Sequence, residues 1–541
     1  MMERVAQDLD KFGDRVVKEI TAKGAQCEID KPRLEQHDAW GKRVDSLWVC
    51  PEWRQLKGVC AEEGIIAIGY DDTTDPVARR MHQVAKLFLF SPSAGLVTCP
   101  MAMTDGAAKT IDALGLRGKN DLATETYNRL TSRDPQKAWT SGQWMTEKRG
   151  GSDVGGGCDT YAVHVKGDEY RLHGYKWFSS AIDADVALTL ARVVDDKGDA
   201  QAGSKGLSLF LLKIRKDDSQ ELNGIQMIKL KNKLDSYRQP NYCSMASGIP
   251  HISNMLNITR IHNAVASVAG MRRILSLARD YSTRRLVFGQ PQEKWPLHLA
   301  TLAKLEVEAR GCFLMLMDAA RLLGVQESGK ATLNELVMLR LITPVLKLYT
   351  AKQCVPLISE GIECFGGQGY IEDTGLPTLL RDAQVTPIWE GTTNVLSLDV
   401  LRVFSGKENV FQALNEYIKA ILPKDVKPEL KSSVDAVKKG MVQFGQILAK
   451  VNDSSLNSQM RVDVCARDIA FAIGKILSGS LLIRHASDAD STTADIEVAK
   501  RWCLEQELVR LDLEWFTKQR IANDRAIVFE NYAGSARQSK L

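Results

Sequence analysis

The sequence predicts an α+β chain in which a helical region, a β module and two further helical regions follow one another, and three observations carry that expectation. Apolar residues recur at helical spacing over most of residues 1–138. Between about 139 and 250 the spacing turns to alternation interrupted by turn residues. From Ile252 onward the helical period returns and dominates to the end. At 541 residues the chain is too long for one ordinary domain. The changes of period divide it into 1–138, 139–250, 251–405 and 410–541.

Each region has its own local logic. Cys50-Pro51-Glu52-Trp53-Arg54 and Val97-Thr98-Cys99-Pro100 punctuate the first, and residues 101–116, rich in small side chains, read as a helix. In the second, residues 161–165 alternate, Lys166-Gly167-Asp168-Glu169 turns, and residues 170–173 alternate again, which is a hairpin signal. Residues 186–194 and 207–214 continue the strand character across Asp195-Asp196-Lys197-Gly198-Asp199, so a mostly antiparallel module is expected. Residues 299–323 and 333–354 are long, nearly all-apolar helices of a buried bundle. Leu422-Pro423-Lys424-Asp425 and Pro428 set off the last helical region.

Composition narrows the function. Lys and Arg number 71 against 67 Asp and Glu, a net charge of +4, and residues 401–541 carry 21 against 18. Neither balance suits a broad nucleic-acid surface. The eleven cysteines form no C-x-x-C and the eight histidines no H-E-x-x-H, so buried free thiols are expected and no metal site. No apolar run of about 18 residues stands out, and no membrane span is expected. The N-terminus shows neither a signal peptide nor a transit pattern. The final Ser539-Lys540-Leu541 reads as a peroxisomal address, with the mitochondrial matrix or cytoplasm as alternatives.

Five segments carry chemistry. Trp144-Met145-Thr146-Glu147-Lys148-Arg149-Gly150-Gly151-Ser152-Asp153 offers backbone N–H groups and hydroxyls to an anion, or is an ordinary turn; it is not a G-x-G-x-x-G loop. Gly174-Tyr175-Lys176-Trp177-Phe178-Ser179-Ser180 pairs aromatics with hydroxyls, for a planar ligand or for a core. Arg284 and Arg285, before Leu286-Val287-Phe288-Gly289, suit a helix C-terminus or a phosphate. Phe365-Gly366-Gly367-Gln368-Gly369-Tyr370 is a turn that needs unusual dihedrals or a close approach. Glu390 lies in the apolar run Pro387-Ile388-Trp389-Glu390-Gly391, where desolvation would make a carboxylate a better base; capping and salt bridging are the alternatives.

Together, in this order, the segments resemble the acyl-CoA dehydrogenase family over roughly residues 30–405. Within it they resemble the large branch that contains the bacterial alkylation-response protein AidB and its animal relatives. The resemblance implies an N-terminal helical domain, a middle β-barrel domain and a C-terminal four-helix bundle, with an additional C-terminal helical domain. It implies FAD as cofactor, contacted by Met145, Thr146, Ser152, Phe178, Ser180, Arg285, Phe288, Gln368, Gly369 and Thr392. The Arg285 and Gln368 elements would serve across a subunit interface of a homodimer or homotetramer. Substrate would be met by Ser152, Gly391 and Arg260, the last near the CoA end. Glu390 would remove the α-proton while the β-hydride leaves for the flavin, giving a trans-2-enoyl-CoA from a medium- or long-chain acyl-CoA. An electron-transfer flavoprotein, or another acceptor, would take the electrons. An acyl-CoA oxidase and a flavoprotein that sequesters acyl-CoA or fatty acid are the alternatives, and DNA binding through the last domain is a weaker one. The chain departs from the family pattern after Lys233, where it is about a dozen residues shorter over a stretch that usually closes the barrel, and at Ala181, where asparagine is usual.

Overall fold

Capping chemistry sets many of the helix starts, and the strands follow where Gly and Asp break the helical period. The computed structural model describes residues 2–216, 219, 221–231, 233, 249–451, 462–510, 517–530 and 532. Ser539-Lys540-Leu541 and most of the shortened stretch after Lys233 lie outside the described residues. The chain divides into two units: Met1–Leu339 with Thr350–Thr392, and Arg340–Tyr349 with Thr393–Leu541.

The first unit opens with α1 (Met2–Arg15) and α2 (Thr21–Ile29). A small antiparallel pair, β1 (Arg33–His37) and β2 (Arg43–Trp48), comes next. Its largely exposed, charged faces give no apolar alternation, which is why the sequence reads through it as helix. Then follow α3 (Pro51–Glu62), α4 (Pro76–Phe90), α5 (Thr98–Ala113) and α6 (Asp121–Leu130). Pro51 and Pro76 occupy first helical turns, where a missing N–H costs nothing, and Asp75 accepts from Val77 N at 3.0 Å and Ala78 N at 3.1 Å. Helix α5 is buried along most of its length, as its small residues allow.

The β module holds β3 (Ser141–Trp144), the short α7 (Val154–Gly157), β4 (Tyr161–Lys166), β5 (Glu169–His173), β6 (Val186–Val193) and β7 (Leu207–Lys213). The β4–β5 hairpin lies where the turn chemistry put it, with Gly167 at φ +49°. Two expectations are corrected. The sheet is mixed rather than mostly antiparallel: β6 runs parallel to β3 and to β4, and antiparallel to β7 on its other side. It is also open, not a barrel. The five strands form a sheet in which β5 and β7 are not paired to each other, and between β7 and residue 249 the described residues make only the bridge Arg215↔Leu222. The sheet packs through Trp144, Val186, Leu188, Leu190 and Leu209 against Met103, Ala107 and Ile111 of α5 and Tyr127 and Leu130 of α6.

After the sheet come α8 (Ile249–Arg284), a tight hairpin of β8 (Leu286–Val287) and β9 (Gln290–Pro291), α9 (Pro296–Glu327), α10 (Leu333–Glu363) and α11 (Leu376–Val385). Thr332 and Glu335 cap α10 reciprocally. The middle of α10, Arg340–Tyr349, belongs to the second unit.

That second unit adds α12 (Thr393–Phe404), α13 (Val410–Ile421), α14 (Lys431–Val451), α15 (Ala466–Ser487), α16 (Thr493–Leu504) and α17 (Lys518–Phe529). Leu414, Val437, Phe444, Ile473, Leu477 and Trp502 form its core. Asp463–Ser487 is long and apolar enough to cross a membrane by length and composition alone, yet 78% of its apolar window is buried inside the protein.

Candidate active site

Glu390 sits in the turn after α11, half-buried, with φ +57°, and Gly391 follows at φ +101°. A non-glycine residue in the left-handed region costs about 1 kcal/mol. Such strain gathers at functional sites. The Glu390 carboxylate Oε2 accepts a 2.9 Å hydrogen bond from the Thr259 hydroxyl of α8. Thr259 is buried, and Arg260 follows it half-buried on the same helix. Asn263 Nδ2 donates to the Thr386 carbonyl at 3.1 Å, fixing the start of the same turn to α8.

Cys99, in the first turn of α5, links Glu390 to the β module. Its thiol is pushed up to about 11 by burial first, while Glu390 raises it further and Lys233 and a hydrogen bond with Ser180 act the other way. Glu390 and Ser180 therefore flank one thiol. Ser180 bridges Gln143, and its carbonyl accepts Trp144 Nε1 at 2.9 Å. Thr146 O accepts Trp177 N at 2.8 Å and Phe178 N at 3.4 Å, so half-buried Met145 and Thr146 lie alongside the Trp177–Ser180 segment. Phe178 is 47% exposed beside these hydroxyls, with the Lys231 and Lys233 ammonium groups 5.4 and 5.9 Å over its ring.

A buried pair that the sequence did not single out locks the two segments together. Lys176 Nζ bonds Glu147 Oε1 at 2.5 Å, and Glu147 also accepts from Thr160 Oγ1 and Asp159 N. Its carboxyl lies below the usual range, because the Lys176 charge and these donors outweigh a large desolvation. Lys231 lies with its ammonium 4.2 Å over the Trp177 ring and donates to the Trp177 carbonyl. Burial, then Lys233 and Lys229, bring it down to about 8.

Other predicted residues stand apart from this cluster. Ser152 is exposed in the loop before α7, where Asp153 caps Gly156 N at 2.9 Å. A Cβ on Gly157 would come 2.3 Å from Gly150 Cα, so this part of the loop needs glycine for its own packing. Arg285 is exposed at the end of α8, and Phe288 is 94% exposed at the hairpin tip with φ +49°. Gln368 is exposed too, whereas Gly369 is buried where a Cβ would meet Ile362 O at 2.4 Å. Gln292 Nε2, donating to Cys364 O at 3.0 Å, and the Tyr281–Phe365 ring contact at 4.9 Å hold the Arg285 hairpin beside the Gln368 turn. Most of the predicted residues thus fall into two groups: Met145, Thr146, Phe178, Ser180 and Glu390 in one, and the exposed Arg285, Phe288 and Gln368 with the buried Gly369 in the other. Thr392 is exposed at the end of the Glu390 turn.

Several buried polar atoms in and around the first group have no hydrogen-bond partner among the described residues: Gln143 Oε1, Ser179 Oγ, Asn263 Oδ1 and Trp389 Nε1. Buried polar groups are normally paired. These donors and acceptors around a part-exposed aromatic ring fit a polar, planar ligand such as an isoalloxazine.

Models of four parts of known proteins match along the chain: the adaptive response protein AidB N-terminal domain over residues 2–135, the acyl-CoA dehydrogenase middle domain over 142–240, the acyl-CoA dehydrogenase C-terminal domain over 246–404, and an acyl-CoA dehydrogenase 11 C-terminal domain-like region over 409–529. The acyl-CoA dehydrogenase family member 11 of Caenorhabditis elegans is 63% identical over 98% of this chain and 88% of its own length. The putative acyl-CoA dehydrogenase AidB of Escherichia coli is 30% identical over 73% of each. The crystal structure of C. elegans ACDH-11 in complex with C11-CoA superposes with a TM-score of 0.95, covering 98% of this chain and 92% of that one. The chain belongs to the acyl-CoA dehydrogenase family, in the branch of these two relatives, and is an FAD-dependent enzyme of that class.

Proposed function

We propose that the protein oxidises a medium- or long-chain acyl-CoA to the trans-2-enoyl-CoA, with Glu390 as the base that takes the α-proton. The observation that carries this reading is Glu390 itself, strained at φ +57° and oriented by the Thr259 hydroxyl at 2.9 Å. A free side chain on a turn has no reason to keep a backbone conformation that costs energy.

FAD, when bound, accepts the β-hydride and supplies the oxidising power. Met145, Thr146, Phe178 and Ser180 would hold its ring, with Ser179 Oγ and Gln143 Oε1 as further partners. Thr392 and Ser152 would contact its outer parts, and Arg285, Phe288, Gln368 and Gly369 would hold the cofactor of a neighbouring copy in a homodimer or homotetramer. Arg260 and Gly391 would meet the acyl-CoA. Thr259 fixes Glu390 Oε2 and would so orient the carboxylate toward the α-carbon. The Glu390 backbone N–H would polarise the thioester carbonyl and so stabilise the enolate that forms as the proton departs.

The chain-length reading has one support outside the sequence: the relative of known structure was crystallised with C11-CoA. An electron-transfer flavoprotein is the proposed acceptor, and the absence of a membrane span is proposed because α15 is occupied as a core helix. Anaerobic titration of the FAD-loaded protein with acyl-CoAs of increasing length should bleach the flavin best at medium to long chains. Glu390→Gln should stay yellow, bind acyl-CoA and not bleach; bleaching at the wild-type rate would overturn the assignment.

A further inference from the structure

The β1–β2 ribbon is a strap whose two ends return to one point. Its outer part grips the stretch that follows the sheet. Gln36 Nε2 donates to the Met227 and Ile228 carbonyls at 2.8 and 2.9 Å, and Arg43 Nη2 donates to Met227 O at 3.0 Å. Asp45 Oδ2 accepts Met227 N at 3.0 Å and pairs with Arg43 Nε at 2.8 Å. Before the ribbon stands Cys27, near the end of α2, and after it stands Cys50, at the N-cap of α3. The two cysteines are 23 positions apart, and the Cys50 thiol donates to the Cys27 sulfur at 3.6 Å.

Packing sets the place of each sulfur. A Cβ on Gly24 would run into Ser93 O, and one on Gly95 would come 3.0 Å from Cys27 Cβ, so α2 lies directly on the 93–95 turn and that turn backs Cys27. Cys50 is buried, and Trp53 just beyond it is anchored by its Nε1, which donates to Asp183 Oδ2 at 2.7 Å. A disulfide needs about 2.05 Å between its sulfurs, so the pair stands about 1.5 Å from bonding distance, a gap that side-chain rotation can close. Cys27 is half-buried, and both thiols line a cleft of about 10 Å³ shared with the half-buried Glu28, Asp30 and Pro32. A space of that size admits one water-sized molecule.

We propose that Cys27 and Cys50 are a modification site, a dithiol that hydrogen peroxide converts to a disulfide tying α2 to the start of α3 and closing the strap at its base. The Cys27 sulfur attacks one peroxide oxygen, the O–O bond breaks, and a sulfenic acid forms on Cys27 as water leaves. The Cys50 sulfur then attacks that sulfur, the S–S bond forms, and a second water departs. Two thiols and one peroxide thus give one disulfide and two waters. The order follows from access, since Cys27 is the half-buried partner and Cys50 the buried one. Burial, then Cys50, Glu28 and Glu52, push the Cys27 thiol up. Little thiolate is therefore present at neutral pH and the bond forms slowly. Once formed it resists reduction, because the thiolate that reduction would release is disfavoured in that place.

The test takes the full-length, FAD-loaded protein through incubation with hydrogen peroxide, quenching by alkylation and digestion without reductant. Mass spectrometry should find the Cys27–Cys50 peptide as the dominant cross-link, lost on treatment with dithiothreitol and absent from Cys27→Ser and Cys50→Ser. Hydrogen exchange of the amides of residues 33–48 should slow about threefold or more in the oxidised protein, because a closed loop opens less often. Peroxide should leave that exchange unchanged in the two serine variants. The wild-type measurement stands by itself, so a variant that fails to fold does not remove the test. A dominant cross-link between other cysteines, or sulfinic acid on Cys27 without linkage, overturns the inference. So does a linked peptide found only in protein that has lost its thermal transition, and so does linkage that leaves the exchange of residues 33–48 as it was.

Discussion

Thr259 is the residue on which the site turns, because its hydroxyl donates to Glu390 Oε2 at 2.9 Å. Removing a hydrogen bond to an ionised group costs about 1.5–3 kcal/mol. Thr259→Val keeps the shape and loses the donor. Bleaching at neutral pH should slow about tenfold or more, with the acid limb moved to higher pH, while acyl-CoA affinity changes less than about twofold. Stopped-flow absorbance and a binding titration in the same buffer check both halves. Glu390 could be singled out in the sequence because a carboxylate within Pro387-Ile388-Trp389-Glu390-Gly391 is out of place. Thr259 could not, since it meets Glu390 across 131 residues. Nor could Glu147 with Lys176, or Cys27 with Cys50: each side chain looks ordinary in its own segment, and only the fold makes the pairs.

At the scale of elements, the hairpin of β8 and β9 is the most exposed of the predicted parts. Phe288 and Gly289 both have positive φ, at +49° and +86°, as a two-residue turn with primed geometry requires. Asparagine tolerates that conformation far better than phenylalanine. Phe288→Asn should therefore raise the stability of the isolated subunit by about 0.5–1 kcal/mol. If Phe288 serves a neighbouring copy, the same change should weaken association and FAD retention. Sedimentation velocity and flavin content, read beside the thermal midpoint, give the two signs separately. Local elements were legible in general: the β4–β5 turn announces itself through Lys166-Gly167-Asp168, and α9 and α10 through their long apolar runs. The pairing of β3 with β6 was not, for Ser141↔Val186 joins strands with a hairpin between them and no local signal fixes it. The barrel was an expectation carried by resemblance, and among the described residues the sheet is open, with β5 and β7 not paired to each other.

For the whole molecule, the second unit is not an appendage in the energetic sense. Leu341, Ile342, Val345, Leu346 and Tyr349 of its α10 segment are fully buried, and the Tyr349 ring lies 5.4 Å from Phe471 and 6.4 Å from Trp502. Exposing five such side chains at about 1.5–3 kcal/mol each would consume most of a net stability of about 5–15 kcal/mol. A chain ended at residue 405 should accordingly be insoluble or unfolded, as judged by circular dichroism and size exclusion. The same truncation with polar residues at 341, 345 and 349 should recover solubility.

That middle stretch of α10 has a consequence for how such proteins can be built and divided. Ten residues inside a continuous helix belong to one unit while the turns on either side belong to the other, so no single cut in the chain separates the modules. Gain or loss of the last region by gene fusion would have to be accompanied by a change of polarity within a helix that the fusion itself never touches. A shorter relative that ends near the equivalent of residue 405 should carry hydrophilic residues at these ten positions, or bury them against a second copy of itself. The register of greasy side chains in one internal helix would then report, from sequence alone, whether a given member has kept its C-terminal half.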